Sequence, residues 1–310
     1  MPPTPLANQN MNSTRKSAGY DRRVLHSDAF RAMDTDIDVE IVSDSRPHGA
    51  FISIQLLFEQ QEERFSRFRG SSLLSRLNEG EPVTNEMFAA ACRMALEAHE
   101  FTSGLFNPMV LPALRAAGYD RTFREVRSGS PTAQPVPDPR DCLVIDRNTI
   151  ALASGQVDLG GIVKGWTADL AGDALAADFT GVLVNAGGDV RAVGAGDEGV
   201  GWQLVIERPG GGRPLWEGAF LGGCATSTTL RRRWTTGSGG AAHHLIDPRT
   251  GLPSTSPFVQ ATVWAPEAWR AEVWAKAVLI GGEPAAEAAV SNARVSVLTY
   301  DTMGEVVRWD

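Results

Sequence analysis

Cysteine is scarce in these 310 residues: Cys92, Cys142 and Cys224 make up the whole complement. An odd and widely spaced set supplies neither a disulfide framework nor the paired spacing of a zinc site, so a reducing compartment is expected. No apolar run reaches the roughly 18 residues that a membrane span needs. The N-terminus, rich in Pro, Asn and Ser, lacks the apolar stretch of roughly 7–15 residues that marks a signal peptide. A cytoplasmic protein with a disordered tail over 1–20 is therefore expected. Positive charge is also short, with 29 Lys and Arg against 37 Asp and Glu and a net charge of −8. The densest basic run, Arg231-Arg232-Arg233, is brief, which excludes a general nucleic-acid backbone binder. There is no G-x-x-x-x-G-K-[ST] phosphate loop. Gly194-Ala-Gly196-Asp-Glu-Gly199 has the spacing of a dinucleotide fingerprint, yet strand-like Trp202-Gln-Leu-Val-Ile206 follows where a helix N-terminus would be required, so the segment reads as a turn.

What is present is the composition of a globular chain, 43% hydrophobic and 21% charged. Ile37, Val39 and Ile41 alternate with acids as in a half-exposed strand. Phe51, Ile54, Leu57, Phe58, Phe65 and Phe68 recur at helical spacing, predicting an amphipathic helix over 50–68. Further helices are predicted over 85–102, 163–178, 266–280 and 284–292. Leu143-Val-Ile145 and Ile150-Ala-Leu152 predict a hairpin, and Pro- and Ser-rich 124–140 a loop. Strands follow at 181–185, 189–194, 202–207, 216–221, 259–265, 294–300 and 305–309. Without strict βαβ alternation, the pattern predicts an α+β fold of mostly antiparallel sheets with packed helices.

Five segments carry chemistry-bearing residues. Val157-Asp-Leu-Gly-Gly-Ile-Val-Lys-Gly165 leads an acid, two glycines and a lysine into a helix, which suits an anion at the helix start and equally suits an acidic cap with tight packing. Val182-Leu-Val-Asn-Ala-Gly-Gly-Asp-Val-Arg191 is a strand entering a glycine pair, where Gly187 and Gly188 permit ligand approach or simply a turn. His243-His244-Leu-Ile-Asp-Pro-Arg-Thr-Gly251 offers His244 as a general base or phosphate contact beside what is otherwise turn chemistry. Thr226, Ser227 and Thr228 contribute hydroxyls that also fit a polar strand end. Glu272 and Lys276 stand four apart on one helix face, as in an i,i+4 ion pair; of the two, only Glu272 can ligate a hard cation.

In this order the segments resemble the FAD:protein FMN transferases, the ApbE-like flavin transferase family, over residues 30–298. Phe30-Arg-Ala-Met-Asp-Thr35 resembles F-x-x-M-G-T, and Phe65-Ser-Arg-Phe-Arg-Gly-Ser-Ser-Leu-Leu-Ser-Arg-Leu-Asn78 is similar to F-S-x-Y-x-x-x-S-x-[IL]-S-x-[LF]-N. Thr102-Ser-Gly-Leu-Phe-Asn-Pro108 resembles [ST]-x-G-x-F-D-P, and Asp158-Leu-Gly-Gly-Ile-Val-Lys-Gly165 resembles D-[LF]-G-[AG]-I-[AG]-K-G. Asn185-Ala-Gly-Gly-Asp189 matches N-x-G-G-[DE], and His244-Leu-Ile-Asp-Pro-Arg-Thr-Gly251 matches H-[IL]-[IL]-D-P-[RK]-T-G.

The resemblance implies a single flavin-transferase-like domain over 21–310. It would be a transferase that cleaves FAD with Mg²⁺ and attaches FMN through a phosphoester to a Thr or Ser of an acceptor flavoprotein. It further implies that Met33, Phe68, Leu105, Phe106, Asn107, Asp158, Lys164, Gly187, Gly188 and Leu245 line the FAD site, with His244 assisting phosphoryl transfer. Among the departures from the motifs, Asp34 stands for Gly, Phe68 for Tyr and Asn107 for Asp. At the positions of the family's metal ligands the chain has Gly161, Glu272 and Lys276, so Lys276 is expected either to replace the metal or to abolish turnover. A non-catalytic FAD-binding protein and an FAD pyrophosphatase are the alternatives.

Overall fold

The computed structural model describes residues 24–120, 131–196, 199, 201–236, 241–291 and 295–310. The expected tail over 1–20 and part of the expected loop over 124–140 lie outside the described residues. Alternating side chains give the hairpin of β1 (Val24–Ala32) and β2 (Thr35–Ser43), in which Ala32 faces Thr35 across a two-residue turn. The inward positions Ile37, Val39 and Ile41 are fully buried. The sequence pattern had placed the first strand here and missed β1, whose apolar and polar residues do not alternate cleanly. In α1 (His48–Phe65), Phe51, Ile54, Phe58 and Phe65 form the buried stripe, and the helix stops at Ser66 rather than at 68.

Next come α2 (Leu73–Asn78), β3 (Val83–Thr84), α3 (Glu86–Phe101), a 3₁₀ turn at Pro108–Val110, α4 (Leu111–Ala116), α5 (Pro139–Cys142), β4 (Leu143–Asp146) and β5 (Thr149–Leu152). Ser72 and Asn85 accept hydrogen bonds from the N–H groups of Ser75 and Phe88, starting α2 and α3. The predicted hairpin at 143–152 is β4 and β5, joined by β3 in a three-stranded sheet. The second half contains α6 (Val163–Leu175), β6 (Gly181–Ala186), β7 (Asp189–Gly194), β8 (Trp202–Ile206), β9 (Trp216–Phe220), β10 (Gly222–Thr228), β11 (Arg233–Thr235) and β12 (Ala241–His243). It continues with β13 (Ile246–Asp247), β14 (Leu252–Pro253), β15 (Phe258–Ala265), α7 (Ala268–Gly281), α8 (Glu283–Ser291), β16 (Ser296–Asp301) and β17 (Val306–Trp309). The loop bearing Gly194 and Gly196 connects strand to strand, with Gly196 donating to Gly201, and it opens no helix.

The main sheet has eight strands in the order β1-β2-β6-β7-β10-β15-β16-β17. Every neighbouring pair is antiparallel, in accord with the expected α+β class. Its two faces bury different partners. Ile41, Val182 and Val184 pack with α1 and α6 through Phe58, Ala168 and Ala171, whereas Val42, Leu183 and Val190 pack under the β8–β9 ribbon through Trp202, Ile206 and Phe220.

Helices α6 and α7 cross at Gly165. A Cβ there would lie 2.8 Å from the Ala268 carbonyl carbon and oxygen and 2.9 Å from Trp269 Cα, so only glycine permits this approach. No side chain of α7's own caps its start; Asp169 of α6 does so instead, accepting from the N–H groups of Ala268 at 2.8 Å and Trp269 at 3.0 Å. Overpacking this crossing by Gly165→Ala should cost about 1–3 kcal/mol. Urea unfolding should show a lower midpoint at an unchanged slope, and an unmoved midpoint would contradict this packing account.

Candidate functional site

Two tight turns stand side by side where β2 begins and β6 ends. The β6–β7 turn places Gly187 at φ 65° and Gly188 at φ 101°, the left-handed backbone that a two-residue hairpin of this hand demands. A Cβ on Gly187 would sit 2.0 Å from Thr35 Oγ1, so the β1–β2 turn fits only against bare backbone. That second turn holds Met33 at φ 53° and Asp34 at φ 56°, positive values carried by residues other than glycine. Such strain is tolerated where surrounding contacts fix the backbone, and the Met33 N–H donates to Glu62 Oε2 at 3.0 Å.

These turns border a cavity of about 1640 Å³. Its wall gathers Met33, Phe68, Leu105, Phe106, Asn107, Asp158, Gly161, Lys164, Gly187, Gly188, His244, Leu245 and Lys276 from segments far apart in the chain. Of the residues singled out from the sequence, only Glu272 is absent from the lining, because it lies fully buried behind the wall.

Asp158 spends its carboxylate locally: Oδ1 accepts from the Gly160 N–H at 2.6 Å, and Oδ2 pairs with Arg67 at 3.3 Å. Arg67 in turn stacks on Phe68 at 4.7 Å and on Tyr119 at 4.3 Å, and Tyr119 meets the His244 ring edge-on at 6.5 Å. Asn107 is similarly committed, accepting from the Met109 N–H at 2.8 Å and donating to the Pro137 carbonyl at 3.0 Å. His244 differs: its Nδ1 is buried with no hydrogen-bond partner. Burial, and then the charges of Arg232 and Lys276, push its imidazole well below the usual 6.5 against a hydrogen bond to the Arg232 backbone, so the ring is neutral.

The densest electrostatics lie where α6, β7 and α7 meet. Lys164 Nζ donates to Asp189 and, at 2.6 Å, to Glu272 Oε1. Lys276 Nζ donates to the same Oε1 at 3.0 Å, while Glu272 Oε2 accepts from the Gly165 N–H at 2.9 Å. Burial opposes the charge on Lys164, but Asp189 and Glu272 outweigh it and hold the ammonium well above its usual range. Burial likewise would raise Glu272, yet Lys164 and Lys276 hold it at about 2. The sequence had suggested an isolated i,i+4 pair at Glu272 and Lys276; the structure buries it and adds Lys164 and Asp189. Asp189, Arg67 and Tyr119 were not singled out from the sequence.

This corner does not fit the Mg²⁺ that the resemblance implied. Both Glu272 oxygens are already taken, an ammonium stands at the third expected ligand, and a hard cation needs oxygen donors. Among the described residues, no group of three or more His, Cys, Asp or Glu side chains could hold a metal ion. Nor is any described helix long and apolar enough to cross a membrane.

The model of the ApbE family matches residues 33–299. The chain is 28% identical over 261 residues to an FAD:protein FMN transferase of Vibrio cholerae, covering 79% of this chain and 77% of that one. It is 27% identical over 251 residues to the Haemophilus influenzae protein of the same name, covering 74% and 72%. The solved ApbE protein of Thermotoga maritima superposes with a TM-score of 0.83 at 24% identity, covering 93% of this chain and 97% of that one. The apo flavinyl transferase ApbE of Pseudomonas stutzeri gives 0.79 at 20%, covering 93% and 96%.

Replacing Glu272 by Gln should destabilise the protein by about 3 kcal/mol at neutral pH, because two buried ammoniums then lose a counter-charge. The sign follows from the depressed carboxyl: its contribution is complete above pH 4.5 and is lost as pH falls through about 2. The gap between wild type and Glu272→Gln in denaturant midpoint should therefore close on acidification over that window. A gap independent of pH would show that Glu272 is not held as a charged partner.

Proposed function

This chain belongs to the ApbE family, and from that membership we propose that it is an FAD:protein FMN transferase that moves FMN from FAD onto a Ser or Thr hydroxyl of an acceptor flavoprotein. The observation that carries the reading is His244, a neutral imidazole whose buried Nδ1 makes no hydrogen bond, on the wall of a cavity that also presents two lysines. At about 1640 Å³ the cavity exceeds the roughly 300–1,000 Å³ of a drug-sized site, leaving room for a dinucleotide and an acceptor loop together.

In this reading Phe68, Leu105 and Phe106 give FAD its apolar contacts, and Met33 and Leu245 border them. Gly187 and Gly188 admit it close to the backbone. Asp158 and Asn107 line the site through groups already tied to Arg67 and Pro137, so they shape it more than they reach into it. Lys164 faces the pyrophosphate. The acceptor hydroxyl oxygen bonds to the FMN-side phosphorus, the bridging P–O bond to the AMP phosphate breaks, and AMP leaves. The hydroxyl proton passes to His244, whose depressed basicity keeps it deprotonated and ready at neutral pH. Cys92, Cys142 and Cys224 are free and buried, which suits a cytoplasmic site of action.

A second reading, a protein that holds FAD without cleaving it, is favoured by the ion-paired Glu272 and Lys276. Intact mass of an acceptor domain bearing a Ser or Thr site separates the two after incubation with FAD. The transferase adds one FMN per acceptor, and His244→Ala slows the addition by about 10²–10⁴-fold. The acid limb of the wild-type rate should lie below pH 6.5, since only the neutral ring accepts the proton. Bound, intact FAD with unmodified acceptor would instead support the non-catalytic protein.

A further inference from the structure

The corner that the family's metal would take is filled by a side chain of the protein itself. We infer that the Lys276 ammonium is the resident cation of this corner, and that the chain holds its dinucleotide pyrophosphate on Lys276 and Lys164 without a divalent metal. The inference rests on the flavin transferase reading.

Three features of the corner carry it. First, no oxygen of Glu272 is open: Oε1 accepts from both lysines, at 2.6 Å and 3.0 Å, and Oε2 from the Gly165 N–H at 2.9 Å. At Glu272 a divalent ion would have to displace an ammonium or the Gly165 N–H before finding a donor. Second, the space beside Gly161 is already used. A Cβ built on Gly161 would lie 3.5 Å from Lys276 Cδ and 3.6 Å from Cε, so the lysine stem packs along that glycine and brings its charge to the helix start.

Third, the charges are layered. Glu272 is fully buried behind the wall, and Asp189, which also lines the cavity, exposes 5% of its side chain against 13% for Lys164 and 16% for Lys276, so an arriving anion meets mainly ammonium groups. Lys276 has three N–H donors, and its contacts in the fold are to Glu272, to Oε1 at 3.0 Å and to the carbonyl at 3.5 Å. It therefore retains a donor for a phosphate oxygen. Two ammoniums against Glu272 and Asp189 leave the cluster neutral before ligand arrives, so it folds without an added ion, and a dication would place surplus charge in a poorly solvated site.

The test is FAD binding by flavin fluorescence with the full chain, in EDTA and in Mg²⁺, together with Mn²⁺ titration followed by electron paramagnetic resonance. Wild type should bind FAD with the same affinity in both buffers, within about twofold, and should take up no stoichiometric Mn²⁺. Tightening by Mg²⁺ of about tenfold or more, or one bound equivalent of Mn²⁺, would overturn the inference while leaving the transferase reading intact. Lys276→Thr should weaken FAD binding in EDTA by about tenfold or more, the scale of one charge-assisted contact. An unchanged affinity would overturn the inference equally. The wild-type titrations require no variant to fold. Failure to bind FAD in either buffer would overturn the transferase reading and the inference together.

Discussion

Gathering two carboxylates and two ammoniums in one corner of the cavity is the constraint on which the site depends. Each ion costs several kcal/mol to desolvate, and the cost is offset only where partners meet at hydrogen-bonding distance. Lys164, Asp189, Glu272 and Lys276 belong to α6, β7 and α7, so satisfying them locks two helices to the middle of the main sheet. The convergence also dictates small residues elsewhere. Gly165 lets α6 meet the start of α7, and a Cβ on Gly223 of β10 would lie 2.2 Å from the Glu267 carbonyl carbon. Asp169 completes the arrangement by capping α7 from its neighbour. Packing and electrostatics thus impose one demand: the helices must come close enough for their buried charges to pair.

Strain is placed where ligand approach needs bare backbone. The β6–β7 turn uses two glycines, for which left-handed backbone is cheap, while the adjoining β1–β2 turn forces Met33 and Asp34 into the same region. Asp34 stands where the family motif has glycine. Asp tolerates this conformation better than most side chains do, and its carboxylate pairs with Arg31 at 3.4 Å, so the departure is accommodated locally.

Much of this was legible in the sequence because the relevant residues sit in short contiguous motifs. Regular periodicity located α1, α3 and α6 and the strands from β6 to β9. Strand β10 was missed because Gly222-Gly-Cys-Ala-Thr-Ser-Thr228 is made of small and polar residues and offers no apolar alternation. Arg67 and Tyr119 were missed for another reason: their partnership joins distant segments, which no local pattern encodes. The burial of Glu272 and Lys276 did leave a trace. Ala271-Glu-Val-Trp-Ala-Lys-Ala-Val-Leu-Ile280 is apolar on every face, and such a helix is buried all round. An acid and a base inside it must therefore find partners in the interior, which a surface pair need not do.

The same cluster explains how an acidic protein can present an anion site. With a net charge of −8 the molecule as a whole repels a dinucleotide. Inside the cavity the order of charges is reversed, with lysines on the wall and Glu272 behind it. Asp158, one of several acids that line the cavity, is neutralised by Arg67 and a backbone N–H. At this corner the attraction for an anion therefore arises because Lys164 and Lys276 reach the surface of the cavity while Glu272, the carboxylate they share, does not. The fold settles that choice by fixing the depth of α7 relative to α6 through Gly165.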